Sequence, residues 1–556
     1  MNFKSFIILL AILYSFQSCK NTTEHERPNI IFIMMDDLGY GQFGVYNDTI
    51  TIQDFNPYFV HLVDSLEGYS LNKSLEFSKL AIPTLSKLAN EGITFTNAYT
   101  SSNICAPSRL GIATGTSQSK FGVYTNVDCE KSGLKPNTHL ADVLKKQHYK
   151  TAHIGKWHIG KRDDQIIKAI LENEKRAENG SLSKLDRSKT KLKNKIKNSG
   201  YVGSVSKEQH PLNNGFDYYY GYNHWASNFY NATNVWENFK HAGLQKNYNT
   251  DTFTDKAIDF MDVQIKNNDP FYIQIHYHAV HDSLEPVAPK KYYNRFDSKS
   301  HILNNFYAHI YGVDSNVNRI IKFLKSKKKY KNTLIVFTSD NGAMSAGSYN
   351  GHKTGSPLPA NTPFSGHKGT YYQGGIRVPM FLHWPQGITN KGIKDKLIST
   401  MDILPTAIDV SGGEIPKHID GKSLLPLINE NRSIHKYLTW SGMHSYKWGY
   451  LITKTTKTHS TESKHAPPAW VVIKDEYLLR YTGTLEPGVY LDHLEGRAPI
   501  VELFNIKNDP AELHNVAHSY PEVVKELSEL YFKDSKNDRP PTDWKNTKWD
   551  ELKNKI

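Results

Sequence analysis

Two residue pairs, Asp36–Asp37 and Asp340–Asn341, carry the first chemical expectation. Each closes an uninterrupted apolar run: NIIFIMMDD, from Asn29, and NTLIVFTSDNGA, apolar through Leu334 to Phe337. Oxygen donors recurring at the ends of two like runs suit a hard cation such as calcium or magnesium, and neither run offers the Cys or His that zinc prefers. Taken singly, the first pair also fits two solvated loop aspartates. A third run, PFYIQIHYHAVH, ends in His276, His278 and His281. A histidine at a strand end is usually an ordinary hydrogen-bonding residue, so His276 and His278 are expected to be structural. Cys105, in ICAPSRLGIATG, is one of three cysteines in 556 residues, too few for a disulfide framework. A lone cysteine is most often a small buried hydrophobe.

Continuous apolar runs of this kind are strands buried on both faces of a mostly parallel sheet. Ligand sites in such sheets lie at the carboxyl ends of the strands, where these polar residues stand. Amphipathic segments such as PTLSKLANEG and HLADVLKKQHY intervene and suit covering helices, so the alternation argues for a doubly wound α/β sheet. From about Leu438 the texture changes to YLTW, YLITKTT, AWVVIKDEYLLRYTG and VELFNI. These are expected to be antiparallel strands of a smaller domain, closed by a helix at PEVVKELSELYF. The boundary is placed near Asn431, giving domains at 28–431 and 432–535, with 536–556 a polar surface tail.

A chain of this length exceeds what one core usually supports, which agrees with a large domain and a smaller one. Hydrophobic residues at 38%, charged residues at 22% and a mean hydropathy of −0.56 exclude a membrane-spanning bundle and a disordered polyelectrolyte. The net charge of +13 favours a polyanionic partner: nucleic acid, anionic lipid or an acidic polysaccharide. Lys161 to Gly200 holds twelve Lys or Arg against six Asp or Glu, so +6 of that charge lies in forty residues, either a solvated insertion or a polyanion-binding one. Lys4 and the run FIILLAILYSF make residues 1–18 an export signal. Ser18 before Cys19 suggests a lipoprotein site, with a plain secretory signal as the alternative and 19–27 as the tether. The expected location is the periplasm or cell surface, attached to a membrane only through a lipid on Cys19. An exported chain without a recognisable binding module is not expected to bind nucleic acid.

CAPSR, from Cys105 to Arg109, is the C-x-P-S-R signature of the type I sulfatases, and the chain resembles that family from about Pro28 to Ala517. HYKTAHIGKWHIG matches the second signature. The DD, SDNG and HKGTYYQGGIRVP segments stand in the family's order, and LFNIKNDPAELHNVA looks like its closing motif. Thr116 stands where many members have Arg, and His148 where a Gly is common. The resemblance implies an alkaline-phosphatase-like mixed sheet sandwiched by helices, with a smaller C-terminal α+β domain built on an antiparallel sheet. It implies hydrolysis of sulfate monoesters by a formylglycine made from Cys105, through a formylglycine-generating or anaerobic maturation enzyme. It also implies one Ca2+ held by Asp36, Asp37, Asp340, Asn341 and an oxygen of the modified Cys105.

The roles that follow from the resemblance suit their residue types. One hydroxyl of the hydrated aldehyde attacks sulfur, and the other, deprotonated, ejects sulfate. Arg109 holds the formylglycine with its forked guanidinium. Lys156 and His158 contact the sulfate and the second hydroxyl, with His158 the base. His281, in AVHD, and Lys368, in GHKGT, bind sulfate and protonate the leaving oxygen. Cys129 is expected to be a free thiol without a catalytic role, and Arg377 with Gly374–Gly375 to shape a turn.

For substrate, the chain looks expanded between Gly44 and Ile82 and between Lys161 and Pro211, where loops can line a pocket. FDYYYGYNHWASNFYNATNVW adds Tyr219, Tyr220, His224, Trp225 and Trp236. His224 and Trp225 are the candidate sugar contacts, although core packing explains several of these aromatics equally well. A sulfated polysaccharide or its oligosaccharides is favoured, of algal type such as ulvan, carrageenan or fucoidan, with ulvan the first choice. One alternative is a phosphatase or phosphonate hydrolase of the same superfamily, disfavoured because Asn341 stands where a zinc-binding His would be wanted. The other is a noncatalytic glycan-binding lipoprotein.

Overall fold

A computed structural model describes residues 27–55, 60, 63, 66–135, 138–163, 204–224, 227–281, 284, 287–344, 356–444, 468–483 and 501–543, with the backbone of 451–452, 457–458 and 500. The stretch expected as an export signal and Cys19, nearly all of the basic insertion, Trp225 and the chain after residue 543 lie outside them. In chain order the first strands are β1 Asn29–Met35, β2 Ile93–Phe95, β3 Ala98–Tyr99, β4 Lys150–Gly155, β5 Tyr218–Gly221 and β6 Trp236–Glu237. They are followed by β7 Lys240–His241, β8 Phe271–His276, β9 Thr333–Ser339, β10 Met380–His383, β11 Gly392–Lys394 and β12 Ile398–Ser399.

Ten of these make one mixed sheet in the order β11-β2-β10-β9-β1-β8-β4-β5-β6-β7. Its centre, β9-β1-β8-β4-β5, is parallel, while β10 enters antiparallel on one side and β6 and β7 fold back on the other. The apolar run of β1 has a direct cause: both faces of the strand are covered. Ile31, Ile33 and Met35 join a core that includes Phe253 and Met261 of the helix Asn249–Asn267 and Ile310 and Val317 of the helix His301–Ser326. Ile30, Phe32 and Met34 join the opposite core, with Leu110 of the helix Cys105–Thr114 and Leu144 of the helix Ala141–Lys146. Each such side chain gains about 1.5–3 kcal/mol on full burial, so from Ile30 to Met35 the strand carries only apolar residues until it ends at Asp36.

The part of the first expansion that is described, up to the helix Leu71–Leu80, places Ile50, Phe55 and Val63 against Ala343, Leu358 and Ala360. It therefore packs on the chain that follows Asn341.

The smaller sheet has four antiparallel strands, formed by β13 Tyr437–Met443, β16 Pro468–Lys474, β17 Tyr477–Thr482 and β18 Ile500–Asn505, in the order β13-β16-β17-β18. A separate pair, β14 Leu451–Ile452 and β15 Lys457–Thr458, precedes β16. One face of the four-stranded sheet packs Trp470, Leu479 and Tyr481 on Leu527 and Tyr531 of the helix Pro521–Asp534. The other buries Val471, Leu478 and Phe504 with Tyr99, Tyr371 and Ile376 of the large domain.

The first part of the stretch expected as a surface tail, 536–543, is mostly exposed and is tied to the large domain. Arg539 N donates to Ser119 O at 3.0 Å and Thr542 N to Gly122 O at 2.9 Å; Asp543 N donates to Asp128 Oδ1 at 2.7 Å. These bonds lay residues 539–543 along the surface of the large domain, with Arg539, Pro540 and Thr542 still exposed.

His148 follows the helix Ala141–Lys146 with φ +61°, its N–H bonded to Lys145 O at 2.9 Å. This left-handed position after a helix end is where glycine is favoured, which accounts for the glycine common there in the family. Because the His148 side chain is exposed, His148→Gly is expected to stabilise the protein by about 0.5–1 kcal/mol, read by denaturant unfolding. Equal or lower stability would show that the side chain makes up for the strained backbone.

Candidate active site

Four neighbouring strands of the sheet, β9, β1, β8 and β4, end side by side. Met35 pairs with Ser339, Met34 with His276 and Gly155 with His276. The residues just beyond them are Asp340 and Asn341, Asp36 and Asp37, His278 and His281, and Lys156 and His158. The strands thus deliver side chains separated by more than 300 residues to one row. Gly155 is needed in that row: a Cβ there would sit 2.0 Å from His276 O.

Cys105 opens the helix Cys105–Thr114, which is buried along its whole length, and Arg109 lies one turn on. The Cys105 Sγ is 3.8 Å from Asp36 Oδ1 and 3.9 Å from Asp37 Oδ1. Around this centre Lys156 Nζ lies 2.6 Å from Asp36 Oδ2, and Lys368 Nζ 2.7 Å from Asp37 Oδ2. Arg109 directs Nε and Nη2 at Asp340 Oδ2, at 2.9 and 2.8 Å, and Nη1 at Lys156 O, at 2.8 Å. His281 Nε2 stands 3.7 Å from Asp37 Oδ2. Asp37 itself has φ +63°, a strained conformation for a non-glycine residue. Its N–H is held by Asp340 Oδ1 at 3.1 Å, and the next N–H, of Leu38, by Ser339 Oγ at 3.0 Å.

Three buried carboxylates therefore face three buried cations. Burial pushes the carboxyls of Asp36 and Asp37 up, but nearby positive charge outweighs it, chiefly Lys156 for the first and Lys368 for the second, and both end below the usual carboxylate range. Asp340 goes the other way: burial, with Asp36 beside it, raises it to about 7 despite Arg109. Burial and the neighbouring Lys156 hold His158 well below its ordinary value, so its ring is neutral. Burial and Lys368 lower His281 to about 3.

Asp36, Asp37, Cys105 and His281 each offer a donor atom, all within 4.8 Å of one another. Asn341 donates Nδ2 to Asp37 Oδ1 at 2.7 Å, while its buried Oδ1 has no hydrogen-bond partner among the described residues. An orphaned carbonyl oxygen, two ionised carboxylates and a third carboxyl whose ionisation their charge opposes fit a hard divalent cation.

Of the residues expected at the site, ten are brought together: Asp36, Asp37, Cys105, Arg109, Lys156, His158, His281, Asp340, Asn341 and Lys368. His224 is only 2% exposed, edge-on to His158 with ring centres 6.1 Å apart and its Nε2 3.5 Å from Glu130 Oε1. It sits behind His158 rather than on an open surface. Trp225 lies outside the described residues. Tyr219 and Tyr220 are core residues, at 0% and 2% exposure. Arg377 contacts Thr96 O and Gln373 Oε1, which agrees with a turn-shaping role.

His276 and His278 sit closer to the chemistry than a structural reading allowed. His278 Nδ1 is 3.8 Å from Asp36 Oδ2, and His276 Nδ1 is 3.3 Å from Arg109 Nη1. Their signal in the sequence was the recurrence of histidine at and just beyond the carboxyl end of an apolar strand, where ligand sites lie. Cys129 is a buried free thiol whose Sγ accepts Gly160 N at 3.5 Å.

Residues 28–413 match the family model described as Sulfatase, and 367–462 match N-sulphoglucosamine sulphohydrolase, C-terminal. An uncharacterized sulfatase of Escherichia coli strain K12, YdeN, is 31% identical over 93% of this chain and 86% of its own. Human N-acetylgalactosamine-6-sulfatase is 23% identical over 91% of this chain and 84% of its own. The crystal structure of Ps i-CgsB in complex with k-i-k-neocarrahexaose shares the fold, with a TM-score of 0.66 at 22% identity over 95% of this chain and 96% of that one. With most of the chain matched to one family model and a relative of that identity along nearly its whole length, the chain belongs to the sulfatase family and is a sulfuric ester hydrolase.

Proposed function

We propose that this sulfatase removes sulfate from a sulfated polysaccharide or its oligosaccharides, using a formylglycine made from Cys105 and one calcium ion. The observation that carries the catalytic part is the state of Cys105. Burial pushes its thiol up to about 12, against the pull of Lys156 and Lys368. A thiol used as a nucleophile is normally shifted the other way, so conversion to another group suits this position better than thiolate chemistry. A formylglycine there would supply, as its hydrate, one oxygen to attack sulfur and a second whose deprotonation ejects sulfate. Asp36, Asp37, Asp340 and Asn341 would hold the calcium, which would supply positive charge to the sulfate oxygens.

The chain's own residues do the remaining work. Lys156 and Lys368 offer two ammonium groups to the tetrahedral anion, and Arg109 fixes the loops on either side. His158 has both ring nitrogens buried without a hydrogen-bond partner among the described residues and is held neutral, as a base must be. His281, beside Lys368, is neutral in the free site and would carry a proton for the leaving oxygen only with the negatively charged sulfate ester bound next to it.

The polyanionic substrate is supported by the net charge of +13 and by relatives whose names or bound ligands are sulfated or carrageenan-type sugars. Ulvan oligosaccharides are the first candidates, with carrageenan types beside them. Export to the periplasm or cell surface, a lipid anchor at Cys19 and maturation by a dedicated enzyme belong to the same reading. It is tested with a panel of sulfated oligosaccharides, scored by free sulfate and by NMR of the product, alongside phosphate monoesters. Sulfate release from an algal oligosaccharide is expected. Faster turnover of phosphate monoesters, or an unmodified thiol in all of the Cys105 peptide by mass spectrometry, would overturn it.

A further inference from the structure

Lys368 is carried by a loop that is closed by bonds of its own, between His367 and Thr370 and from Gly374 N to Ser365 O, and much of what holds that loop from outside comes from the C-terminal part of the chain. Lys368 N donates to Ala343 O at 3.0 Å and Gly369 N to Asn103 O at 2.7 Å. On either side of these bonds, the loop is anchored to residues 510–512. Ser365 Oγ donates to Ala511 O at 2.6 Å, Gln373 Nε2 to Pro510 O at 3.1 Å, and Gln373 N to Glu512 Oε1 at 2.8 Å. The other oxygen of Glu512 is paired with Arg480 Nη1, and the Arg480 guanidinium lies 3.5 Å over the ring of Tyr372, within the same loop. The loop also bears on the metal-ligand segment: Gly342 N donates to Gly375 O, and a Cβ at Gly342 would sit 1.8 Å from Gly374 O.

Arg480 projects from β17 on the face that packs against the large domain, where Glu502 of β18 already matches its charge at 2.9 Å. A second buried carboxylate is therefore not needed to neutralise it. Glu512 is nonetheless buried, at φ +53°, a conformation that favours glycine. A buried ion pair is weak evidence for stability, because desolvation offsets most of its attraction. What this pair does that an apolar pair could not is to present a rigid acceptor to Gln373 N and a cation to Tyr372.

We propose that the buried Arg480–Glu512 pair is a positioning device for Lys368, through which the C-terminal sheet sets the place of the ammonium group at the active site. This rests on the reading of Lys368 as a sulfate-binding cation. Neither residue touches substrate; both act through the Ser365–Gln373 loop.

The test is a double-mutant cycle between Glu512→Ala and Lys368→Ala, read by kcat/KM on para-nitrophenyl sulfate and by calorimetric affinity for inorganic sulfate. Lys368→Ala is expected to lower kcat/KM by about 10²–10³-fold, and Glu512→Ala by about 10–100-fold. The double variant is expected to be no worse than Lys368→Ala within about threefold, with sulfate affinity following the same pattern. Glu502→Gln, which also weakens a partner of Arg480 but not the loop, is expected to stay within about twofold of wild type. If Glu512→Ala does not fold, Glu512→Gln completes the same cycle. Losses that multiply in the double variant, or a folded Glu512→Ala with wild-type kcat/KM, would overturn the positioning role alone. Wild-type activity in Lys368→Ala would overturn the reading of Lys368 and this inference with it.

Discussion

Cys105→Ala is expected to lower sulfate release by at least about 10⁴-fold while leaving the melting temperature within a few degrees of wild type. The two halves of this result have separate causes. The sulfur atom contributes little to the fold: it sits at 3.8 and 3.9 Å from two carboxylate oxygens, beyond a strong hydrogen bond, and alanine keeps the Cβ and suits a helix. The cavity left is one atom in size, and its cost is about 1 kcal/mol. The chemistry has no substitute: Asp36 and Asp37 are paired with Lys156 and Lys368, and the one further donor of that cluster among the described residues, His281, stands 3.7 Å from Asp37 in the role expected of a proton donor. The measurement is free sulfate by ion chromatography beside a thermal melt. Retention of more than about 1% of wild-type kcat would exclude Cys105 as the precursor of the nucleophile.

How much of this site was legible beforehand depends on the distance over which each residue acts. Three of the four strands of the row, β1, β8 and β9, were legible because an apolar run buried on both faces is a local pattern; β4, with Lys150, Thr151 and His153 in it, shows no such run. That β9 lies beside β1, and β8 on its other side, was not legible, because strand order depends on tertiary pairing that no single segment encodes. The ten site residues were recovered through short motifs, each of which is local. What escaped was relational. His278 was undervalued because its meaning comes from Asp36 on the next strand. His224 was taken for a sugar contact because aromatic composition does not report which side of a ring is covered. Arg480 and Glu512 lie in a different domain from the lysine loop they hold, and only the folded chain puts them beside it. The stretch after residue 538 is exposed as its polarity suggested, but its attachment to the large domain was not legible, because main-chain hydrogen bonds leave no trace in side-chain type.

The replacement of Arg109 by Met is expected to destabilise the metal-free protein by about 3–5 kcal/mol and to reduce sulfate release by about 10²–10⁴-fold. Among the described residues Arg109 touches all four strand ends: Asp340 after β9, Asp36 after β1 at 3.6 Å, His276 at the end of β8 at 3.3 Å, and the Lys156 carbonyl after β4. Without it Asp340 is left fully buried with no cation against it. Burial and the charge of Asp36 already raise Asp340 to about 7, and loss of the opposing Arg109 raises it further. A carboxyl that binds its proton more tightly when folded than when unfolded, where its value is about 3.9, loses stability as pH rises through that window. The cost of Arg109→Met is therefore expected to be greater at pH 8 than at pH 5. Pairing Arg109→Met with Asp340→Asn removes the buried charge and is expected to recover most of the stability at pH 8, but not the activity, since the carboxylate expected to hold the metal and the fork that ties Lys156 to the row are both missing. Arg109→Lys separates charge from geometry: its single ammonium cannot serve Asp340 and the Lys156 carbonyl together, so activity is expected to stay low even where the fold is kept. Denaturant unfolding at the two pH values and sulfate release for the three variants decide the matter. Recovery of activity along with stability in the double variant would reduce Arg109 to a structural partner of Asp340.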